Sequence, residues 1–222
     1  MKKIIVTISL LITFALVFSA CDDTRKDGAK DTTSTTNSTP ANKDEVASAK
    51  KGETTCGEKY LDSSKNWTVT FTTNQGDFTV TLDPKNSPIG SAHLAALVND
   101  GFYDNLTFHR VIKGFVIQGG DPNGDGSGSS DCSVISEAPT AQYVKGDFAW
   151  AKTGDAPNGS AGSQFFIVTD DSAANALTNQ YGTAGKVTDG ISVVEKIENS
   201  ATNPSDAPVS KVTISKATLN ES

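Results

Sequence analysis

The sequence predicts a mainly β domain, a closed antiparallel barrel capped by two α-helices. Two observations carry that expectation. Short alternating runs rich in β-branched and aromatic residues recur from Trp67 to Leu219. Only two segments, far apart in the chain, carry an apolar stripe of helical period. No internal repeat is visible.

The elements follow in order. Trp67-Thr-Val-Thr-Phe71 alternates and reads as a strand; Asn74-Gln75-Gly76-Asp77 is a turn, and Phe78-Thr-Val-Thr-Leu82 is the return strand of a hairpin. Asp83-Pro84-Lys85-Asn86 breaks the pattern. Ser87 and Pro88 open a helix as N-cap and first helical residue. Ile89, Ala92, Ala96 and Leu97 form its stripe, and Gly101 stands at its C-terminal cap. Leu106 to Ile112 and Phe115 to Gln118 read as strands around Lys113-Gly114, followed by a Gly-rich loop from Gly119 to Ser130. Asp147 to Ala151 and Gln164 to Thr169 are further strands. Gly190 to Ser200 holds the second helix, with Ile191, Val194 and Ile197 on one face, and Val209 to Leu219 is the closing strand.

Not all 222 residues belong to this fold. Residues 1–20 read as a signal peptide: Met1-Lys2-Lys3 is basic, Ile4 to Phe18 is apolar, and small residues follow. The run is short for a membrane span, which needs ~20 residues. Cys21 directly after "FSA" resembles a bacterial lipobox. That resemblance implies cleavage before Cys21, lipid on its sulfur and amine, and a domain anchored outside the cytoplasm of a bacterial cell. Residues 21–54 are polar and small, unable to bury enough surface to offset their ordering entropy, and read as a disordered tether. Residues 55–222 suit one domain. The net charge of −7 argues against nucleic acid as a partner. With Cys21 assigned to lipid, Cys56 and Cys132 remain in an exported chain, where disulfides persist. The sequence leaves open whether those two are bridged or free.

Several constellations raise chemistry. "DPNGDGSG" sets Asp121, Asn123 and Asp125 at the first three ligand positions of a calcium loop, but Cys132 occupies the place of the closing Glu. A flexible surface loop without metal is the expectation. A Ser–His–Asp hydrolase is excluded: there is no Gly-x-Ser-x-Gly elbow, and Ser163 precedes a strand. His93 is expected near the surface of the first helix, and His109 as a hydrogen-bonded structural histidine. Arg110 is the puzzle. In an alternating strand it shares a face with Phe108 and Ile112, beside apolar residues and with no evident acid.

"FHRVIKGFVIQGGD" and "AKTGDAPNGSAGSQFFI" resemble the two signature blocks of the cyclophilin-type peptidyl-prolyl cis–trans isomerases. The likeness runs from about Asn66 to Leu219. It implies an eight-stranded antiparallel barrel closed at each end by a helix. It also implies catalysis of rotation about X–Pro bonds in proline-containing polypeptides, without a cofactor, by a monomer. The family's catalytic arginine falls on Arg110, its backbone-binding glutamine on Gln118, and its proline pocket on Phe115, Val116 and Phe166. Ala151 matches a backbone-contact position, Gln164 a polar neighbour of the pocket and Leu177 an apolar wall. Tyr181 stands where many members have His, and Ala176 where they have an aromatic, which implies a more open rim. The other reading is a non-catalytic module that holds proline-containing segments at the cell envelope.

Overall fold

The computed structural model describes residues 53–172 and 176–222. The signal peptide, Cys21 and the tether before Glu53 lie outside the described residues.

Strands β1 (Trp67–Thr73) and β2 (Gly76–Leu82) form the expected hairpin. Their threonines alternate with Val69, Phe71, Phe78, Val80 and Leu82, all buried. Phe71 pairs with Phe78 across the ladder, and the rings stack at 5.1 Å. Helix α1 (Pro88–Asn99) starts where Pro88 fixes the first turn. Ser87 precedes it, but its hydroxyl meets that of Thr183 at 2.7 Å and caps no helical N–H. The Glu137 carboxylate accepts from Ile89 and Gly90 N–H instead, at 3.1 and 3.2 Å, so the cap comes from a distant loop. Gly90 permits this close packing: a Cβ there would stand 2.0 Å from the Thr183 carbonyl oxygen. Asp100 ends the helix, and Gly101 follows at φ +70°.

The remaining strands are β3 (Thr107–Ile112), β4 (Val116–Asp121), β5 (Val134–Ile135), β6 (Asp147–Trp150), β7 (Ser160–Ala161), β8 (Phe165–Val168), β9 (Thr183–Asp189) and β10 (Ile214–Glu221); helix α2 (Ile191–Glu198) precedes β10. Eight of the ten described strands make one sheet, ordered β10-β1-β2-β9-β6-β8-β4-β3, while β5 and β7 pair separately. The sheet curls until its edges meet. There the junction is a short one: the bridge Thr107↔Thr213, with hydrogen bonds from Phe108 N–H to Val212 O and from Ile214 N–H to Leu106 O. The described fold is therefore a curled eight-stranded sheet, not a barrel with a continuous closing ladder. Inside the curl, Phe71 meets Tyr103, Phe148 and Phe165, and Phe108 meets Phe78 and Phe165. Helix α1 lies against β9 and β10, and α2 against β2, β3 and β4, burying Val194 and Ile197. Among the described residues no helix is long and apolar enough to cross a membrane.

Cys56 and Cys132 are joined by a disulfide, with Cα atoms 6.0 Å apart. Thr54 is buried and its hydroxyl donates to Glu58. His93, expected near the surface, is only 1% exposed. Its Nε2 faces the Gly162 carbonyl, which can only accept, so Nε2 carries a proton. One further proton must then lie between Nδ1 and the Glu58 carboxylate, 2.6 Å away. Cys56, Glu58 and His93 thus gather potential ligand atoms within 4.8 Å. They do not make a metal site, because the disulfide and these hydrogen bonds already occupy them.

Candidate active site

Strands β4, β6 and β8 are buried on both faces. Their alternate residues divide between two apolar clusters. Ile117, Phe148, Trp150, Phe165 and Ile167 point into the main core. Val116, Ala149, Phe166 and Val168 point outward into a second cluster with Tyr143. Phe115, Ala151, Leu177 and Tyr181 pack on this second cluster and are only partly buried. Cross-strand register holds it together: Val116 pairs with Val168, and Phe166 lies between Gln118 and Ala149. The Tyr181 ring meets Phe166 edge-on at 5.3 Å. The result is an apolar cluster on the outer face of the sheet, partly open to solvent at Phe115, Ala151, Leu177 and Tyr181.

A polar row borders it. Arg110 pairs with Gln118 in the β3–β4 ladder. Arg110 Nη1 donates to Gln118 Oε1 at 3.3 Å, and Gln118 Nε2 donates to Gln164 Oε1 at 3.0 Å. Gln164 Nε2 in turn donates to the carbonyls of Gly126 and Gly128. The arrangement differs from strict alternation. The register shifts around His109, so Phe108 and Val111 both enter the core. Arg110 therefore does not share a face with Phe108. It is turned toward the edge of the outer cluster, with 40% of its side chain exposed. Its acid is Asp206, whose Oδ2 lies 3.6 Å from Nε.

The Gly-rich loop is organised, not slack. The Asp121 side chain is 1% exposed and accepts four backbone N–H bonds, from Asn123, Asp125, Gly126 and Gly128. Its oxygens are spent on the loop's own backbone, which is the physical reason the calcium pattern fails. The same anchor fixes the two carbonyls that hold Gln164. His109 also departs from expectation: both ring nitrogens are buried without a hydrogen-bond partner. Burial pushes its pKa down, with the Arg110 charge adding to that against the opposing pull of Asp121 and Asp125.

Every pocket position named from the sequence falls on this one face. Three contributors were not foreseen. The Tyr143 hydroxyl donates to the Tyr181 carbonyl and accepts the Tyr181 N–H, fixing that wall; burial first of all pushes the phenol up to about 12. Its only sequence signal is a lone aromatic in the polar stretch "APTAQYVKGD". Lys152 Nζ stands 5.6 Å from the centre of the Tyr181 ring, a cation–π interaction on the rim. Asp206 has no local signal at all.

The face offers a guanidinium, two carboxamides and a partly exposed apolar cluster, and among the described residues here no activated nucleophile. The Ser163 hydroxyl is buried and donates to the Gly120 carbonyl. Such a set can hold a ring and present donors to an adjacent amide. The chain is also similar to proteins of known family. The model for "Cyclophilin type peptidyl-prolyl cis-trans isomerase/CLD" matches residues 68–219. Peptidyl-prolyl cis-trans isomerase cypE of Dictyostelium discoideum is 36% identical over 160 residues, which is 69% of this chain and 97% of that protein. Peptidyl-prolyl cis-trans isomerase 9 of Schizosaccharomyces pombe is 36% identical over 140 residues, 62% of this chain but only 22% of that longer protein. A crystal structure of a Cryptosporidium parvum cyclophilin-type isomerase, determined in the presence of the dipeptide ala-pro, has 31% identity and a TM-score of 0.61, covering 69% of this chain and 98% of that one. With its fold, its signature blocks and the face they build all in agreement, the chain belongs to the cyclophilin-type peptidyl-prolyl cis–trans isomerases.

Proposed function

We propose that the protein accelerates X–Pro rotation in exported polypeptides through Arg110. The reaction makes and breaks no covalent bond. Its barrier of about 18–20 kcal/mol is the loss of amide conjugation. In the twisted state the proline nitrogen becomes pyramidal and gains a usable lone pair. A fixed donor aimed there binds the twisted state more tightly than either planar state, and that difference is the catalysis. A guanidinium suits because it is always charged and its donors form a rigid fork. Phe115, Val116, Phe166, Leu177 and Tyr181 receive the proline ring. Gln118 holds substrate backbone as well as Arg110, and Gln164 steadies Gln118. Ala151 already gives its N–H to the Gln164 carbonyl, so its own carbonyl is assigned to substrate backbone.

The observation that carries the reading is a half-exposed arginine tied by Gln118 to the rim of an apolar cluster outside the core. A protease-free assay of cis-to-trans relaxation in a short X–Pro peptide tests it. Arg110→Ala should lower the specific rate by ~100-fold, the scale of losing one electrostatic donor. Unchanged turnover would refute the role. Peptide affinity without acceleration by folded wild-type protein would favour the binding module.

We further infer that the domain works as a monomer outside a bacterial membrane, tethered by lipid on Cys21. The support is the basic and apolar leader followed by "FSAC". An oxidised Cys56–Cys132 pair also suits that compartment. Metabolic labelling with a fatty-acid analogue should mark the wild type and spare Cys21→Ala; label retained in the mutant would sink the anchor.

A further inference from the structure

We propose that Asp206 is a positioning residue for this reaction: its carboxylate holds the Nε edge of Arg110, so that the free guanidinium donors face the proline nitrogen. The inference rests on the isomerase reading above. Two side chains hold the guanidinium from different sides. Gln118 Oε1 takes Nη1 at 3.3 Å, and Asp206 Oδ2 faces Nε at 3.6 Å. A guanidinium has five N–H donors in one plane. Two partners fix that plane and leave the other donors for substrate.

The loop carrying Asp206 is built to deliver it. Thr202 bridges Pro208, and Asn203 N–H donates to Ala207 O. Asn203 Oδ1 accepts from Ser205 and Ala207 N–H. Asp206 sits at φ +62°, a left-handed conformation that Asp and Asn tolerate best after Gly. Its carbonyl accepts Val111 N–H at 2.8 Å. The backbone that carries the carboxylate is therefore hydrogen-bonded to the residue next to Arg110 on β3. A loop needing only to turn the chain requires neither an acid there nor a tie to β3.

Both side chains are nearly half exposed, at 40% and 46%, so the interaction is screened and its effect is moderate. Asp206→Asn is the informative change: it removes the charge and keeps a residue at home in the left-handed region. At low salt it should lower kcat about three- to fivefold with KM little changed. The loss should shrink at about 0.5 M salt, where charges are screened within ~4–5 Å. In an Arg110→Ala background the same change should do nothing further, whereas a purely structural loop defect would lower both backgrounds alike. The Arg110 Nε–H should also exchange faster with solvent in the ¹⁵N spectrum. If wild type accelerates the peptide, Arg110→Ala abolishes that, and Asp206→Asn equals or exceeds wild type, the positioning role is overturned while the isomerase reading stands. If wild type itself gives no acceleration, both fall.

Discussion

Replacing Asp121 by Ala should both loosen the fold and slow the reaction. The carboxylate accepts four backbone N–H bonds. Bonds to a charged acceptor contribute ~1.5–3 kcal/mol each, so a simple sum has an upper bound of ~12 kcal/mol. The surroundings reduce it. Asn123, Asp125 and Gly126 are exposed, and their freed N–H groups return to water. Gly128 is buried, and its N–H would be left unsatisfied, a cost of ~1–3 kcal/mol. Adding a part of the three exposed bonds gives an expected destabilisation of about 3 kcal/mol. The same loop offers the Gly126 and Gly128 carbonyls to Gln164. Its slackening should therefore reach Gln118 and Arg110. Because the weakened hydrogen bonds reach Arg110 through two more, Gln164–Gln118 and Gln118–Arg110, in one connected network, kcat/KM should fall by about three- to tenfold. Equilibrium urea unfolding read by fluorescence measures the first effect, and the peptide assay the second. A destabilisation below about 1 kcal/mol with an unchanged m-value would refute the anchoring argument. So would stabilisation of wild type by millimolar calcium, since a carboxylate already filled by amides has no lone pairs to give.

Reduction of Cys56–Cys132, or Cys56→Ser, should cost about 2–4 kcal/mol: the bond closes a sequence separation of 76 residues, for which chain entropy sets a ceiling of about 4.5 kcal/mol. Urea titrations with and without a phosphine reductant check this, and equal midpoints would count against the bridge's contribution. Acid should destabilise the domain in two steps. His109 is held neutral by burial, its folded pKa below the unfolded value of ~6.5. Its contribution is full above that pH and is lost as pH falls through the folded pKa, because the unfolded chain takes up the proton first. Burial raises the Glu58 carboxyl, but the His93 hydrogen bond and charge and the Thr54 hydroxyl more than offset it, leaving a net depression. Its contribution is full above ~4.3 and lost as pH falls through its folded value. Melting temperature against pH should show both limbs. His109→Asn should remove the upper one and Glu58→Gln the lower one.

What could be read from the sequence was what depends on near neighbours. The β1–β2 hairpin and α1 are encoded by alternation, a turn and a Pro–Gly pair of boundaries, and all sit within a few residues of where they act. The signature blocks carried Arg110, Gln118 and Phe166 together because β3, β4 and β8 adjoin in the sheet. What escaped depends on partners brought from afar. "TFHRVI" alternates on paper, yet the pairing with β4 slips at His109 and turns Arg110 to the rim. His93 looks like a surface polar residue on α1 until Glu58 and Gly162 arrive from other segments to satisfy it. Strand β9, "TAGKVTD", has neither clear alternation nor an apolar run, and is a strand because β2 and β6 flank it. Asp206 became the partner of Arg110 only when the 203–207 turn folded against Val111.

The placement of the site on doubly buried strands has a physical consequence. Along β4, β6 and β8 consecutive residues serve opposite faces, so the pocket and the core share backbone but not side chains. Phe166 and Val168 stand in the pocket cluster, while Phe165 and Ile167 alternate with them into the core. There Phe165 stacks on Phe148 at 4.5 Å and meets Tyr103 and Phe108 edge-on. A pocket wall fixed from behind by stacked rings cannot give way when a substrate presses on it. That stiffness matters for a reaction whose only chemistry is a change of shape. A yielding pocket would follow the amide through its twist and bind planar and twisted forms alike, which lowers no barrier. On the reading proposed above, a rigid floor under Phe166, with Arg110 held at its edge, would keep the fit selective for the twisted form.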